Sequence, residues 1–229
     1  MSPINFKVAY AFAAIPTRIA LENHDWNRAA TLQLHPNFSW GRFPWQEAII
    51  HFGRLLGFAH LGNLSSARSE LNIVTRLHDT LLKQQDQYKA NQVGIQLKAG
   101  EAWVEFYSGK KSEALVDMKT AADMEDATEK HPVTPCEVLP ARELYAEMLS
   151  VAGEFQAALL QYQLALKKNP NRFNSLYGAA HSAKVTGDRR TAFTYYKQLL
   201  EVADPVSCSR LEVKTAKSFV GIASSSHRR

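Results

Sequence analysis

Residues 153–170, GEFQAALLQYQLALKKNP, rhyme with residues 187–205, GDRRTAFTYYKQLLEVADP, 34 positions further on. Gly153 matches Gly187, Ala158 matches Ala192 and Tyr162 matches Tyr196. Pro170 and Pro205 close the two stretches, one residue out of register. A fixed interval of this kind constrains a fold more than any other feature. Each period is a unit that cannot bury its apolar face alone and must stack on the next.

Within one period, 139–172, Ala158, Tyr162 and Ala165 are spaced i, i+4, i+7 and share one face of a helix. Upstream, Tyr145, Ala146 and Leu149 make a second short stripe. Gly153 between them breaks the helix. Asn169-Pro170 ends the second one, because the residue before proline is pushed out of the helical region. The unit is helix, tight turn, helix, stop. Residues 173–206 repeat it, with Leu176, Ala179, Ala180 and Ala183 on the first helix, Gly187-Asp188 at the turn, and Ala192, Tyr196 and Leu199 on the second. The alanines at 146, 158, 180 and 192 let antiparallel helices cross at about 8–10 Å.

The same turn-to-Ala spacing recurs at Gly109…Ala114 and Gly62…Ala67, and more faintly at His24…Ala29. Turn-to-turn distances of 47, 44 and 34 residues separate Gly62, Gly109, Gly153 and Gly187, so the early repeats are longer. Partner helices are expected over about 5–21, from near Pro44, and over about 87–108. A last helix over about 207–223 is expected to cap the open end, with a frayed tail at 224–229. The expectation is one all-α domain, 1–229, with longer degenerate repeats over 5–128 and two regular ones over 139–206.

These residues resemble the tetratricopeptide repeat, whose 34-residue pattern has Gly or Ala in the first helix, then Ala, an aromatic, Ala and Pro. Arg142 and Leu176 stand where that pattern has Trp, Leu199 replaces an Ala, and Asp204 occupies the Pro position. The resemblance implies a right-handed α-solenoid of about five antiparallel hairpins plus a capping helix. Two further stretches, FPWQEAIIHFGRLLGFAHLGNLSSAR and EDATEKHPVTPCEVLPARE, resemble the C-terminal half of uncharacterised bacterial tetratricopeptide proteins. Those relatives are longer, which implies a short or truncated member.

A solenoid of this type offers an inner groove made by its first helices. The repeat register puts Ile49, Phe52, Leu56 and Ala59 there, then Gln96, Ala99, Trp103 and Phe106, then Glu143, Glu147 and Ser150, then Asn174, Tyr177, His181 and Lys184. Aromatic anchors with flanking charge suit an extended peptide or an amphipathic helix. The alternative is that the longer early helices close over Phe52, Leu56, Trp103 and Phe106, which then belong to the core. Some tetratricopeptide domains clamp a C-terminal carboxylate with Lys, Arg and Asn. Here Ala99, Trp103, Glu143 and Glu147 occupy those positions, and two carboxylates favour a partner carrying Lys or Arg instead. The expected function is a non-catalytic protein-binding scaffold. A second reading is a regulatory or catalytic module using Glu143, Glu147 and His181, and a third is self-association through the array ends.

Net charge is +5, distributed as +4 over 1–100, −6 over 101–152 and +7 over 153–229. That reads as an acidic middle between basic ends, or as ordinary surface scatter. Cys136 and Cys208 are far apart and read as reduced thiols. His131, Cys136 and Glu137 in the linker lack a further His/Cys cluster, so a spacer is favoured over a metal or catalytic site. Trp40, Phe43 and Trp45 around Pro44 read as a helix-start staple, the alternative being a sugar or base platform. No phosphate loop, nucleophile elbow or metal-protease spacing occurs. Basic pairs such as Lys167-Lys168 and Arg189-Arg190 sit at helix ends, where cations suit the dipole, so no nucleic acid is expected. Neither cofactor nor membrane span is expected, and the short apolar start does not fit a signal peptide, so the expected location is the cytoplasm.

Overall fold

The computed structural model describes residues 6–129, 137–203 and 208–226. Among them every regular element is helical. Unit by unit the order is α1 (Phe6–Glu22), α2 (Trp26–Ala30), a 3-10 turn (Trp40–Arg42), α3 (Pro44–His60), α4 (Leu64–Lys83), α5 (Gln87–Tyr107) and α6 (Lys111–Asp126). Then come α7 (Ala141–Ala152), α8 (Phe155–Lys168), α9 (Phe173–Val185), α10 (Arg189–Val202) and α11 (Leu211–Ser226). Helices pack chiefly on their sequence neighbours: α3 on α4, α4 on α5, α5 on α6, α8 on α9, α9 on α10 and α10 on α11.

One local device makes most of the reversals. At Gly62, Gly109, Gly153 and Gly187 the backbone is left-handed, with φ of +76°, +91°, +87° and +85°. His24 and Gln85 adopt the same conformation at +51° and +58°. The amide of each of these residues bonds the carbonyl three residues back, as Gly62 N does to Ala59 O at 3.0 Å. At His24, Gly62, Gln85, Gly109 and Gly153 the next amide reaches five residues back, as Asn63 N does to Phe58 O at 2.9 Å. This is the Schellman closure of a helix C-terminus. The residue after the turn then starts the next helix. Asp25, Asn63, Asp86 and Asp188 each accept a bond from an amide three residues on.

Five residues after each of these six positions stands an alanine, Ala29, Ala67, Ala90, Ala114, Ala158 and Ala192, whereas Asn171, left-handed at φ +64°, is followed at that spacing by Leu176. The six alanines are at most 2% exposed. Turn and small contact residue therefore recur together as one cassette six times among the described residues, with a side-chain cap between them in four. The Gln85–Ala90 instance is additional to those expected from glycine spacing. It joins successive hairpins and carries the cassette on Asp86 and Ala90, with Gln in the place of Gly.

The first expected hairpin is incomplete. Its second arm, α2, is five residues long. Thr31 caps it, and the chain then runs through Pro36 and the 3-10 turn before α3. This short arm lies directly on α3, where a Cβ at Gly57 would come within 2.4 Å of Ala30 N. The capping helix α11 begins at Leu211 and continues through Ser226, past the expected 223. Residues 130–136, 204–207 and 227–229, which include His131, Pro132, Thr134, Pro135, Cys136, Asp204, Pro205 and the basic end, lie outside the described residues.

Contacts divide the chain into two compact units, 1–141 and 142–229. The break falls where the longer repeats give way to the regular ones. In the first unit, Arg18 of α1 donates to the carbonyls of Glu137, at 3.0 Å, and Val138, at 3.4 Å, holding the chain after α6 against the first helix.

Candidate functional site

In the first unit the groove positions are core. Phe52 is 2% exposed, Trp103 0% and Phe106 4%; Ile49, Leu56, Ala59 and Ala99 are buried as well. The physical reason is length and contact: α3 and α5, of 17 and 21 residues, pack on each other directly. Their facing side chains fill that interface and leave no open groove at these residues.

Trp103 belongs to a run of rings along the turn ends. His24 stacks on Trp26 (5.2 Å between centroids), Trp26 on His60 (3.8 Å, 5° between planes), and His60 lies 4.4 Å from Trp103. Tyr107 continues the run, 5.6 Å from Trp103, and its hydroxyl lies 2.9 Å from His60 Nδ1. His60 Nε2 is buried without a hydrogen-bond partner. Burial, with the nearby His24 charge, pushes the His60 pKa down to about 3, so the ring is neutral.

Across α3 and α4 a second polar group is closed in. His51 Nδ1 and Arg54 Nη2 each lie 2.6 Å from one oxygen of Glu70, which is 4% exposed. Glu47 stands 3.9 Å from the other His51 nitrogen, and burial raises its pKa more than His51 lowers it. The arrangement ties α3 to α4.

In the second unit, Glu143 of α7 is 4% exposed. Arg172, at the start of α9, grips it with both forks: Nε to Oε2 at 2.9 Å and Nη2 to Oε1 at 2.6 Å. The Ser175 hydroxyl donates to the same Oε2. A carboxylate held this way is an internal strut between α7 and α9. The charge at Glu143 is therefore answered within the chain. Tyr162 of α8 is hydrogen-bonded to Ser150; burial, then Glu147, then Glu143 hold its pKa above the usual tyrosine range. Its ring rests on α9 so closely that a Cβ at Gly178 would come within 2.2 Å.

Along α9, Asn174, Tyr177 and His181 are half-buried and Lys184 is exposed. Arg210 donates to Asn174 at 3.0 Å and lies 3.9 Å over the Phe173 ring. Tyr177 is hydrogen-bonded to Thr215 on α11, and burial with the Glu212 charge raises its pKa. His181 stacks on Tyr177 at 5.9 Å and meets Phe155 edge-on at 5.8 Å; burial and Lys184 lower its pKa. The structure thus joins Tyr177, His181 and Lys184 in one row, and sets Glu143 apart in its clamp. The last helix runs along that row: Arg210 meets Asn174, Thr215 meets Tyr177, and the Lys184 ammonium lies 6.0 Å over the Phe219 ring.

A shallow surface groove of about 460 Å³ also runs between α8 and α10, on the second-helix side, lined by Leu160, Leu164, Lys167, Pro170, Tyr195 and Gln198. The repeat register, which assigned binding to first helices alone, gave no signal for it. Exposed leucines at i, i+4 on α8 were the available clue.

The aromatics around Pro44 are buried: Trp40 is 8% exposed, Phe43 9% and Trp45 4%. Trp45 packs on Tyr10 of α1 and Tyr88 of α5, so its ring is held by contacts distant along the chain and not by a staple on the first turn of α3. Among the described residues no group of three or more His, Cys, Asp or Glu is placed to hold a metal, and Cys208 is a free thiol. No described helix is long and apolar enough to cross a membrane. Comparison with known protein families, curated proteins and solved structures finds no match to this chain.

Proposed function

We propose that the chain is a tetratricopeptide-like α-solenoid serving as a non-catalytic scaffold, which holds a peptide or partner helix against the first helices of its regular repeats. The observation that carries this reading is the α9 row. Tyr177 and His181, half-buried, and Lys184, exposed, form a row along α9 beside α11, aromatic and cationic in sequence. Stacked rings with an adjacent charge are the usual anchors of a peptide site. The groups best suited to acid–base work support the same reading. Glu143 is saturated by Arg172 and Ser175, and His60 is enclosed by rings.

The test is selection of a displayed peptide library on the full chain, then binding of enriched peptides to wild type and to His181→Ser/Lys184→Glu. Because His181 packs on Tyr177 and Phe155 and Lys184 lies over Phe219, binding is compared well below the melting temperature of the variant. Enriched peptides are expected to lose about tenfold or more in affinity. Equal affinity for both proteins would place recognition elsewhere and refute the reading.

A further inference from the structure

We infer that the site along α9 takes a peptide bearing Asp or Glu side chains, held by the basic turn between α9 and α10; this rests on the reading of α9 as a peptide site. Residues 155–200 carry seven Lys or Arg and one acidic residue, Asp188. Two of the seven are answered elsewhere: Arg172 grips Glu143, and Lys197 lies 3.9 Å from Glu201. Lys167 and Lys168 close α8. Lys184, Arg189 and Arg190 gather around the Gly187 turn, and all three are exposed.

Phe219 of α11 holds two of them together. The Lys184 ammonium lies 6.0 Å and the Arg189 guanidinium 5.6 Å from its ring centre, so the two charges are at most about 12 Å apart. That is the scale of the ~10 Å screening length at 0.1 M salt, and their fields overlap. Asp188 accepts the Thr191 amide at 3.0 Å as the cap of α10. It balances one charge of the three. His181 registers what is left: burial first, then the Lys184 charge, lower its pKa.

Charge and spacing choose the partner. Sequence pattern points, through Glu143 and Glu147, to a partner carrying Lys or Arg, but Glu143 is spent in its clamp. The excess beside Tyr177 and His181 is positive. Tyr177 and Lys184 are two helical turns apart, about 10 Å, which an extended peptide crosses in about three residues. An aromatic or apolar anchor on Tyr177 and His181, followed about three residues on by Asp or Glu, fits both features. Nucleic acid fits less well. Phe219 is half-buried against Tyr196 and flanked by the two cations, so its ring is not open to a base.

The test uses peptides enriched on the full chain from a displayed library and resynthesised with amidated C-termini, so that side-chain carboxylates are their only anions. They should carry more Asp and Glu than Lys and Arg, and should weaken about tenfold between about 50 and about 500 mM NaCl. Arg189→Glu/Arg190→Glu should cost them about tenfold or more. Glutamate suits the first turn of α10, so the variant should keep its fold, as circular dichroism checks. Should it not, Arg189→Gln/Arg190→Gln gives the same comparison. Exchanging each Asp or Glu of a peptide for Lys should restore binding to the glutamate variant and not to wild type. Peptides that need His181 and Lys184 yet carry no acidic excess overturn the inference and leave the α9 reading standing, as do peptides that bind the variant as tightly as wild type. Failure to enrich any peptide overturns both. A thymidylate strand of about 20 nucleotides that binds through Arg189 and Arg190 and is not displaced by the peptides assigns the turn to nucleic acid, and overturns the inference too.

Discussion

Acid should unfold the first unit through His60, and by a calculable amount. The ring is held neutral with a pKa near 3, against 6.5 for an ordinary histidine. Below 6.5 the unfolded chain takes up a proton that the folded chain refuses, because a charged ring would sit between Trp26 and Trp103 with its Nε2 proton unpaired. Stability from this group is therefore complete above pH 6.5 and is lost as pH falls toward 3. The slope is about 1.4 kcal/mol per pH unit, so between about pH 8 and about pH 4.5 the loss is roughly 2.5 kcal/mol. His24 contributes in the same direction, since its own charge makes protonating His60 harder. His60→Phe keeps the stacking but cannot titrate. Urea unfolding at the two pH values, followed by tryptophan fluorescence, isolates the effect, because Trp26, Trp40, Trp45 and Trp103 all lie in the first unit. The variant should start less stable at the higher pH, having lost the Tyr107 hydrogen bond. It should then lose about 2.5 kcal/mol less than wild type on acidification. Parallel pH dependence in the two proteins would refute the argument.

The turn cassette makes two opposed predictions. Gly109→Ala, forced to φ +91°, should cost about 1 kcal/mol in urea unfolding, whereas Gln85→Gly, relieving a non-glycine residue at +58°, should stabilise by a few tenths or more. A destabilised Gln85→Gly would show that the side chain matters more than the backbone there. Glu143→Gln should destabilise the second unit by about 2 kcal/mol, because Arg172, 21% exposed, loses its counter-charge, and the double change Glu143→Gln/Arg172→Met should recover part of that loss. Far-UV circular dichroism of thermal unfolding measures both, and equal melting of the single and double variants would argue against the clamp.

The primary structure by itself determined where this polypeptide turns. A left-handed residue, a cap and an alanine five places on are local requirements, written in consecutive residues. Gly62, Gly109, Gly153 and Gly187 therefore announce the helix ends and, with His24, most of the helix boundaries. Gln85 escaped notice because the usual marker for positive φ is glycine, although Asp86 and Ala90 carry the rest of the cassette. Which face of each helix meets solvent was decided only by tertiary contact. Repeat register places Trp103 and His181 at equivalent positions, yet one is sealed where α3 and α5 meet, and the other stays half-buried between Tyr177 and Phe155. Likewise Glu143 reads as an open charge until Arg172, 29 residues on, closes upon it. Burial and charge pairing depend on neighbours distant along the chain, and no local spacing can specify those.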